Sequence, residues 1–359
     1  MSNPPAKKIL VLKLSSLGDV VHTLPAVRTL RANHPDAFIA WMIEERYRDL
    51  LLQNPDVDEV IPVRLKHWRQ HWNGRTLGEI RGFLNHLRSR RFDTVIDLHG
   101  LIKTGVLAWV SGAPERIGFP RDLCKEKWNT WFTNRRGPCS GPGTHVVDLN
   151  LDLVQQAGGK RRWAEPHPFQ VPEADRLRVQ TFWDAHPELT ARPVVGVNPG
   201  VGFATKEWTL ERFAQLADRI IETLGYSVLL TWGPGEEDKV RRIQERMQGP
   251  AWVAPPTSLL ESIALYRHLA LFVSCDSGPL HLCAGLGIPT VSLFGPTDPA
   301  RNGAFGPRNR AVHHVLSCSF CWKKRCPLGT RECMDRISVD EVFEAVRDSA
   351  HQYVKTCTP

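Results

Sequence analysis

Residues 271–298 concentrate polar groups where they could act on a ligand. The apolar run Leu271–Cys275 ends in Asp276-Ser277-Gly278, a small-residue stretch containing His281 follows, and a second apolar run spans Thr290–Phe294. This order predicts strand, helix and strand, with the polar residues at the carboxyl end of the first strand. Open α/β sheets bind ligands there. A helix opening at Ser277-Gly278 offers unpaired N–H groups and a positive dipole end, which suit a phosphate. His281 lies one helical turn beyond Ser277 and faces the same way, either in the core or behind the loop.

Three further loops follow apolar runs in the same manner. Asn198-Pro199-Gly200-Val201-Gly202 leads to Lys206, and combines approachable backbone amides with a point charge for phosphate; a surface loop with a solvated lysine is the plain alternative. Gly233-Pro234-Gly235 leads to Glu236 and Glu237, which could hold ribose hydroxyls or merely favour the first turn of a helix. Near the N-terminus, Ser15-Ser16-Leu17-Gly18-Asp19 follows the first apolar run. Asp19 could take a proton from an attacking hydroxyl, or it could cap the next helix.

Two stretches suit an acceptor. Asp97-Leu98-His99-Gly100-Leu101-Ile102-Lys103 ends another predicted strand, and residues 64–75 mix Arg64, Lys66, His67, Arg69 and His71 with Trp68 and Trp72. Cations interleaved with indoles could hold an anionic glycolipid at a bilayer surface, or form a solvated face. Asp56-Val57-Asp58 has metal-binding spacing but no supporting context, and is read as a surface turn. Cys318, Cys321, Cys326 and Cys333 form C-x2-C-x4-C-x6-C. A structural metal knuckle is one reading of them; free thiols or a conditional disulfide are the other.

The elements that position these residues alternate strand and helix through both halves, which implies parallel sheets with right-handed crossovers. In the first half, strands are expected at residues 8–14, 38–43, 59–63 and 94–98, with helices at 20–33, 45–53 and 77–90. Residues 160–192 are rich in proline (Pro166, Pro168, Pro172, Pro187) and charge, and read as a linker with one helix at 173–185. The pattern restarts with strands at 194–198 and 227–231, helices at 210–224, 236–247 and 259–269, and a final helix at 338–354. The expected division is 1–165, a linker 166–192, 193–337, and a terminal segment 338–359 packing back on the first domain.

At 359 residues with 42% hydrophobic residues, the chain suits two domains. No apolar run is long enough to span a bilayer. The Lys7-Lys8 start is read as a first strand of a cytosolic protein, because the apolar run after it is too short for a signal peptide. A net charge of +8 favours anionic partners. A dinucleotide oxidoreductase should show G-x-G-x-x-G after its first strand, and the single Gly18 argues against one.

Two Rossmann-like halves facing a cleft form the GT-B architecture, an α/β fold of sugar-nucleotide glycosyltransferases. The residues together resemble glycosyltransferase family 9, the bacterial lipopolysaccharide heptosyltransferases. The marks are Ser15–Val20 in the first loop, Val95-Ile96-Asp97 with Gly100-Leu101, Lys206-Glu207-Trp208, Trp232-Gly233, Asp276-Ser277-Gly278 with His281, and Phe294-Gly295-Pro296-Thr297-Asp298-Pro299. Glu44-Glu45, Val60–Val63 and Trp68-Arg69 most resemble the members that add the first heptose to Kdo. The resemblance implies an ADP-heptose donor, a Kdo–lipid A acceptor, inversion at the anomeric carbon, and no required cofactor or catalytic metal. It makes Asp19 the base. On the donor side it places Gly200, Val201, Lys206, Glu236 or Glu237, Asp276, Ser277, Gly278 and His281. On the acceptor side it places Ser16, Gly18, Arg64, Lys66, Arg69, His99 and Lys103. The chain would be cytoplasmic, peripheral on the inner membrane, with no nucleic-acid partner. Members that add heptose to heptose are the alternative; a sugar-nucleotide epimerase and a non-catalytic anion-binding protein are weaker rivals.

Overall fold

A computed structural model describes residues 6–141, 143–160 and 169–354. They divide into two compact units at Gln170/Val171. Pro166 and Pro168 of the expected linker, and the last five residues, lie outside the described residues.

The first unit is built on a parallel sheet of β1 (Lys8–Leu12), β2 (Phe38–Glu44), β3 (Glu59–Val63), β4 (Thr94–Asp97) and β5 (Glu115–Gly118), in the order β3-β2-β1-β4-β5. Ile9 through Leu12 are fully buried, as are Val95 and Ile96, so these strands are apolar on both faces. The chain leaves β1 in one direction and returns to β4 on the other side. The carboxyl ends of β1 and β4 therefore flank the point where strand order reverses.

The second unit repeats the scheme. Its strands are β6 (Val194–Asn198), β7 (Ser227–Leu230), β8 (Trp252–Val253), β9 (Leu271–Cys275), β10 (Thr290–Phe294) and β11 (Asn309–His313), in the order β11-β10-β9-β6-β7-β8. Here β6 and β9 flank the reversal.

Several expected boundaries shift for identifiable reasons. The helix expected at 20–33 is two helices, Leu17–Val21 and Leu24–Asn33, broken at His22-Thr23 just before Pro25. The helix expected at 45–53 is a 3-10 helix, Glu45–Leu51. Strands β5, β8 and β11 and the helices Ile102–Val110 and Val146–Gln156 were not anticipated; β8 has only two residues, and β5 and β11 are short and largely polar.

Two expectations about domain boundaries are corrected. The helix of the proline-rich segment, Glu173–Asp184, joins the second unit: it packs against the helix Leu259–Tyr266, with Trp183 buried and stacked on His268 at 4.9 Å. The terminal helix, Val339–Tyr353, also packs within the second unit rather than on the first. Val342, Phe343, Val346 and Ala350 fall on one face and join a core with Phe213, Leu271 and Leu293. Phe343→Ala should therefore cost about 3–5 kcal/mol. In a calorimetric scan it should lower the second unit's transition and leave the first unit's in place.

Candidate active site in two half-sites

In the first unit, the turn after β1 carries Asp19 at the third position of the helix Leu17–Val21. Its Oδ2 accepts from Ser16 N and Ser16 Oγ, both at 3.1 Å. The capping role weighed for Asp19 is thus real, and it leaves Oδ1 directed at cations. Lys13 Nζ lies 3.6 Å from Oδ1 and Lys125 Nζ 3.3 Å from it. Lys13, at the end of β1, is only 1% exposed and also donates to Leu98 O at 2.7 Å. Burial pushes its ammonium down to about 8, against the pull of Asp19. Burial alone would raise the Asp19 carboxyl, but Lys13, Lys125 and His99 hold it well below the usual carboxylate range. Asp19 is therefore an ionised carboxylate, 14% exposed, at the reversal point of the sheet.

His99 is buried, and its Nδ1 accepts from Leu14 N at 3.2 Å. Burial and the two lysines hold its ring well below 6.5, so it is neutral with its proton on Nε2. Its ring is enclosed at the carboxyl ends of β1 and β4, 4% exposed. Asp97 is wholly buried and accepts from His99 N, Gly100 N, Thr104 Oγ1 and Asn129 Nδ2. It shapes the turn. Gly100 has φ +69°, and a Cβ there would lie 3.5 Å from Lys125 N; its carbonyl accepts from Glu126 N. This turn fixes the backbone that carries Lys125 to Asp19.

The other residues expected on the acceptor side lie in several places. Ser16 and Gly18 lie in the turn itself. Lys103 is exposed on the helix Ile102–Val110. Arg64 is engaged by both carboxylate oxygens of Glu45, at 2.7–2.9 Å. Lys66 and Arg69 are exposed on the helix Leu65–Gln70, but Trp68 between them is buried against Phe83, with ring centres 5.3 Å apart. This indole belongs to the core. Asp56 and Asp58 are taken by Arg28 (3.0 Å) and Arg31 (2.5 Å); Asp56 is buried rather than on a surface turn.

In the second unit, the loops after β6, β9 and β10 converge on Asp276. Its Oδ2 accepts from Lys206 Nζ at 2.5 Å and from Thr297 Oγ1 at 2.7 Å, and Oδ1 faces His281 Nε2 at 3.6 Å. Burial opposes ionisation of Asp276, but His281 and Lys206 outweigh it and hold the carboxyl far below its usual range. Lys206 also lies 4.5 Å from the ring centre of Phe203. Ser277 precedes the helix Gly278–Gly285 and shares a hydrogen bond with Ser274 Oγ at 2.8 Å. Pro279 has no N–H, so Gly278 and Leu280 supply the first free donors of that helix.

Glu236 and Glu237 separate. Glu236 accepts from Gly233 N at 3.1 Å, and a Cβ on Gly200 would collide with its carboxylate at 2.2 Å. Gly200 is required by this approach. Glu237 points along its own helix to Arg241, at 2.6–3.0 Å, and is not brought to the loop. Val201 packs on the core.

The four clustered cysteines line one small cavity with Thr205, Gly295 and Pro296. They are free thiols. Among the described residues, no group of three or more His, Cys, Asp or Glu could hold a metal ion, so the metal-knuckle reading is not supported. Their loop is a brace: Lys323 O accepts from Thr205 Oγ1 (2.8 Å), Arg331 donates to Ala204 O (3.3 Å), and Trp322 N donates to Pro296 O (2.8 Å).

Residues that motif reasoning did not assign to the sites are Lys13, Lys125 and Thr297. Lys13 ends an apolar strand, a position where a cation must be paired. Thr297 stood within a family mark. Lys125 had no local signal.

Residues 80–331 match Glycosyltransferase family 9 (heptosyltransferase). The chain belongs to this family. Family 9 relatives include lipopolysaccharide heptosyltransferase 1 of Pseudomonas aeruginosa, 33% identical over 321 residues, covering 89% of this chain and 87% of the relative. Lipopolysaccharide heptosyltransferase 2 of Escherichia coli is 28% identical over 360 residues, covering 94% and 97%. Among solved structures, the E. coli heptosyltransferase WaaC with ADP superposes with a TM-score of 0.73 at 25% identity, covering 96% of this chain and all of that one. The fold of both units is that of the GT-B heptosyltransferases.

Because its folded pKa is depressed, Asp276 adds stability that is fully present above about pH 4 and lost as pH falls through the lower folded value. In urea titrations, Asp276→Asn should show a smaller drop in the second unit's midpoint between about pH 7 and pH 3 than the unaltered chain. Equal drops would contradict the pairing.

Proposed function

We propose that this chain transfers a heptosyl group from ADP-heptose to Kdo of a lipopolysaccharide inner core. The observation that carries this reading is the pair of switch-point half-sites, one presenting an ionised carboxylate and the other a lysine beside a helix start, in a chain of family 9. Similarity to the type 1 relative, 33% identical against 28% for the type 2 relative, favours Kdo over heptose as the acceptor.

Asp19 is the proposed base. Its proton-accepting oxygen is Oδ1, since Oδ2 is occupied by the Ser16 cap. While both lysines face Oδ1 its basicity is low. Lys125, the exposed partner, is the one free to turn away, and its departure would raise the carboxylate's affinity for the acceptor's proton. Lys13 stays, fixed by Leu98 O. A base that takes the hydroxyl proton as oxygen attacks the anomeric carbon, opposite the leaving ADP, gives inversion in one displacement.

On the donor side, Lys206 and the Gly278 and Leu280 N–H groups are proposed to meet the diphosphate. Negative charge grows on ADP as the glycosidic bond breaks, so these donors act more strongly on the transition state than on the ground state. Asp276 holds Lys206 in place, with Thr297 and His281 fixing the carboxylate. Glu236, against Gly200, is the proposed ribose contact. Lys206 thus carries two tasks: it binds phosphate and it neutralises Asp276. Removing it exposes the anion to an uncompensated carboxylate.

The direct test is incubation with ADP-heptose and Kdo2–lipid A, followed by mass analysis of the lipid. One added heptosyl unit is expected, and ADP-heptose consumed without an acceptor product would overturn the reading. Asp19→Asn should lower kcat about 10²–10⁴-fold with ADP affinity unchanged by calorimetry. Lys206→Ala should weaken ADP binding by about 1.5–3 kcal/mol. The double variant Lys206→Ala/Asp276→Asn should recover part of that loss, because the opposing carboxylate is gone.

A further inference from the structure

The helix Ile102–Val110 places Ile102, Val106 and Trp109 on one face, at i, i+4 and i+7. Ile102 is 38% exposed and Trp109 60%. The 3-10 helix Lys127–Trp131 packs beside it. Asn129 Nδ2 donates to Leu101 O at 2.7 Å, Glu126 accepts from Ile102 N at 2.7 Å, and Gly105 leaves room for Phe132, whose ring would lie 2.9 Å from a Cβ. Trp128 and Trp131 project from this short helix, 53% and 69% exposed, their rings edge to face at 4.3 Å. Four large apolar side chains therefore stand out from two elements held together by hydrogen bonds and by the Gly105–Phe132 contact. Leaving three indoles in water is costly unless something covers them.

Charge decides what covers them. Lys103 adjoins Ile102, Lys127 adjoins Trp128, and both are exposed. A second copy meeting this face symmetrically would set these lysines against their own counterparts. An anionic bilayer complements them: indoles settle at the headgroup boundary while lysine stems reach the phosphates. The position of the face has a chemical consequence, because Lys125, two residues before Lys127, faces Asp19.

We propose that the face formed by the helix Ile102–Val110 and the 3-10 helix Lys127–Trp131 docks on an anionic membrane, with Trp109, Trp128 and Trp131 at headgroup level. Docked in this way, the first unit presents its carboxylate next to the bilayer in which a lipid-borne acceptor sits. This rests on the acceptor reading above. It places the contact on a different face from residues 64–75, where Trp68 is buried and, of the two indoles, Trp72 alone is exposed.

The test is co-sedimentation of the full chain with vesicles of phosphatidylcholine alone or mixed with phosphatidylglycerol. Binding is expected on the mixed vesicles, falling as salt rises, with quenching of indole emission by brominated lipid. Lys127→Gln should weaken partitioning about five-fold. Trp109→Ser/Trp128→Ser/Trp131→Ser should abolish the quenching and most of the binding, while keeping its thermal transition and its turnover of a water-soluble, deacylated acceptor. If the triple variant partitions like the unaltered chain, the surface assignment is wrong. It is also wrong if sedimentation equilibrium shows a dimer that these substitutions dissociate, since a second copy then covers the face. Vesicle binding is read without any transfer. A chain that transfers heptose but ignores the mixed vesicles therefore overturns the surface alone.

Discussion

A charge at the carboxyl edge of a parallel sheet sits where the strands are buried on both sides and must be paired there. Each unit answers this requirement with a lysine–aspartate pair at its reversal point: Lys13 with Asp19 at 3.6 Å, and Lys206 with Asp276 at 2.5 Å. The two pairs put opposite partners to use. In the first, the lysine is buried and held by Leu98 O, so the carboxylate is the end left available. In the second, the carboxylate is fixed by Thr297 and His281, so the ammonium is the end left available. In the proposed function, one arrangement would present an acceptor of protons and the other a receptor for anions, from the same interaction.

Pairing of this kind makes each site sensitive to the loss of one member. A buried ion pair with one partner removed leaves an uncompensated charge, which costs more than removing both. It also explains the supporting cast. His99 would add a third positive charge beside Asp19 if it were protonated; burial and the two lysines keep it neutral, and its Nδ1 is given to Leu14 N. Gly200 is bare because the Glu236 carboxylate occupies the place of its Cβ. The backbone around both pairs is shaped by buried side chains, Asp97 in the first unit and Asn198 in the second. Asn198 Oδ1 accepts from Gly200 N at 2.9 Å while its Nδ2 donates to Thr231.

Much of this was legible in the chain. Strands buried on both faces appear as continuous apolar runs, so β1, β4, β6, β9 and β10 and the loops after them could be found, and with them Asp19, Lys206, Asp276 and Gly200. What escaped depended on tertiary contact. Lys125 reaches Asp19 across 106 residues of sequence from an irregular turn, and no local pattern announces such a partner. Trp68 and Trp128 both sit beside basic residues, and only packing separates the buried ring from the exposed one. Glu236 and Glu237 are neighbours of the same type; the 3.1 Å bond from Gly233 N, absent for Glu237, distinguishes them. The cysteine spacing resembled a ligand set, and the four thiols line one cavity, but among the described residues no group of three or more such side chains could hold a metal ion.

That cysteine loop braces the loops that build the Lys206–Asp276 pair. The Asn198–Lys206 and Phe294–Asp298 loops each follow a strand and have little regular structure, yet the pair they build demands a 2.5 Å contact. The loop after β11 ties both together, through Thr205 and Ala204 on one side and Pro296 on the other. Met334 and Cys333 close over Gly295, where a Cβ would come within 2.6 Å of the Met334 sulfur. Met334 is itself part of the core beneath Val342 and Phe343. Lys206 and Thr297 are thereby referred to the interior of the second unit through a continuous set of contacts, so the terminal helix, distant in sequence from either loop, helps set the geometry at Asp276.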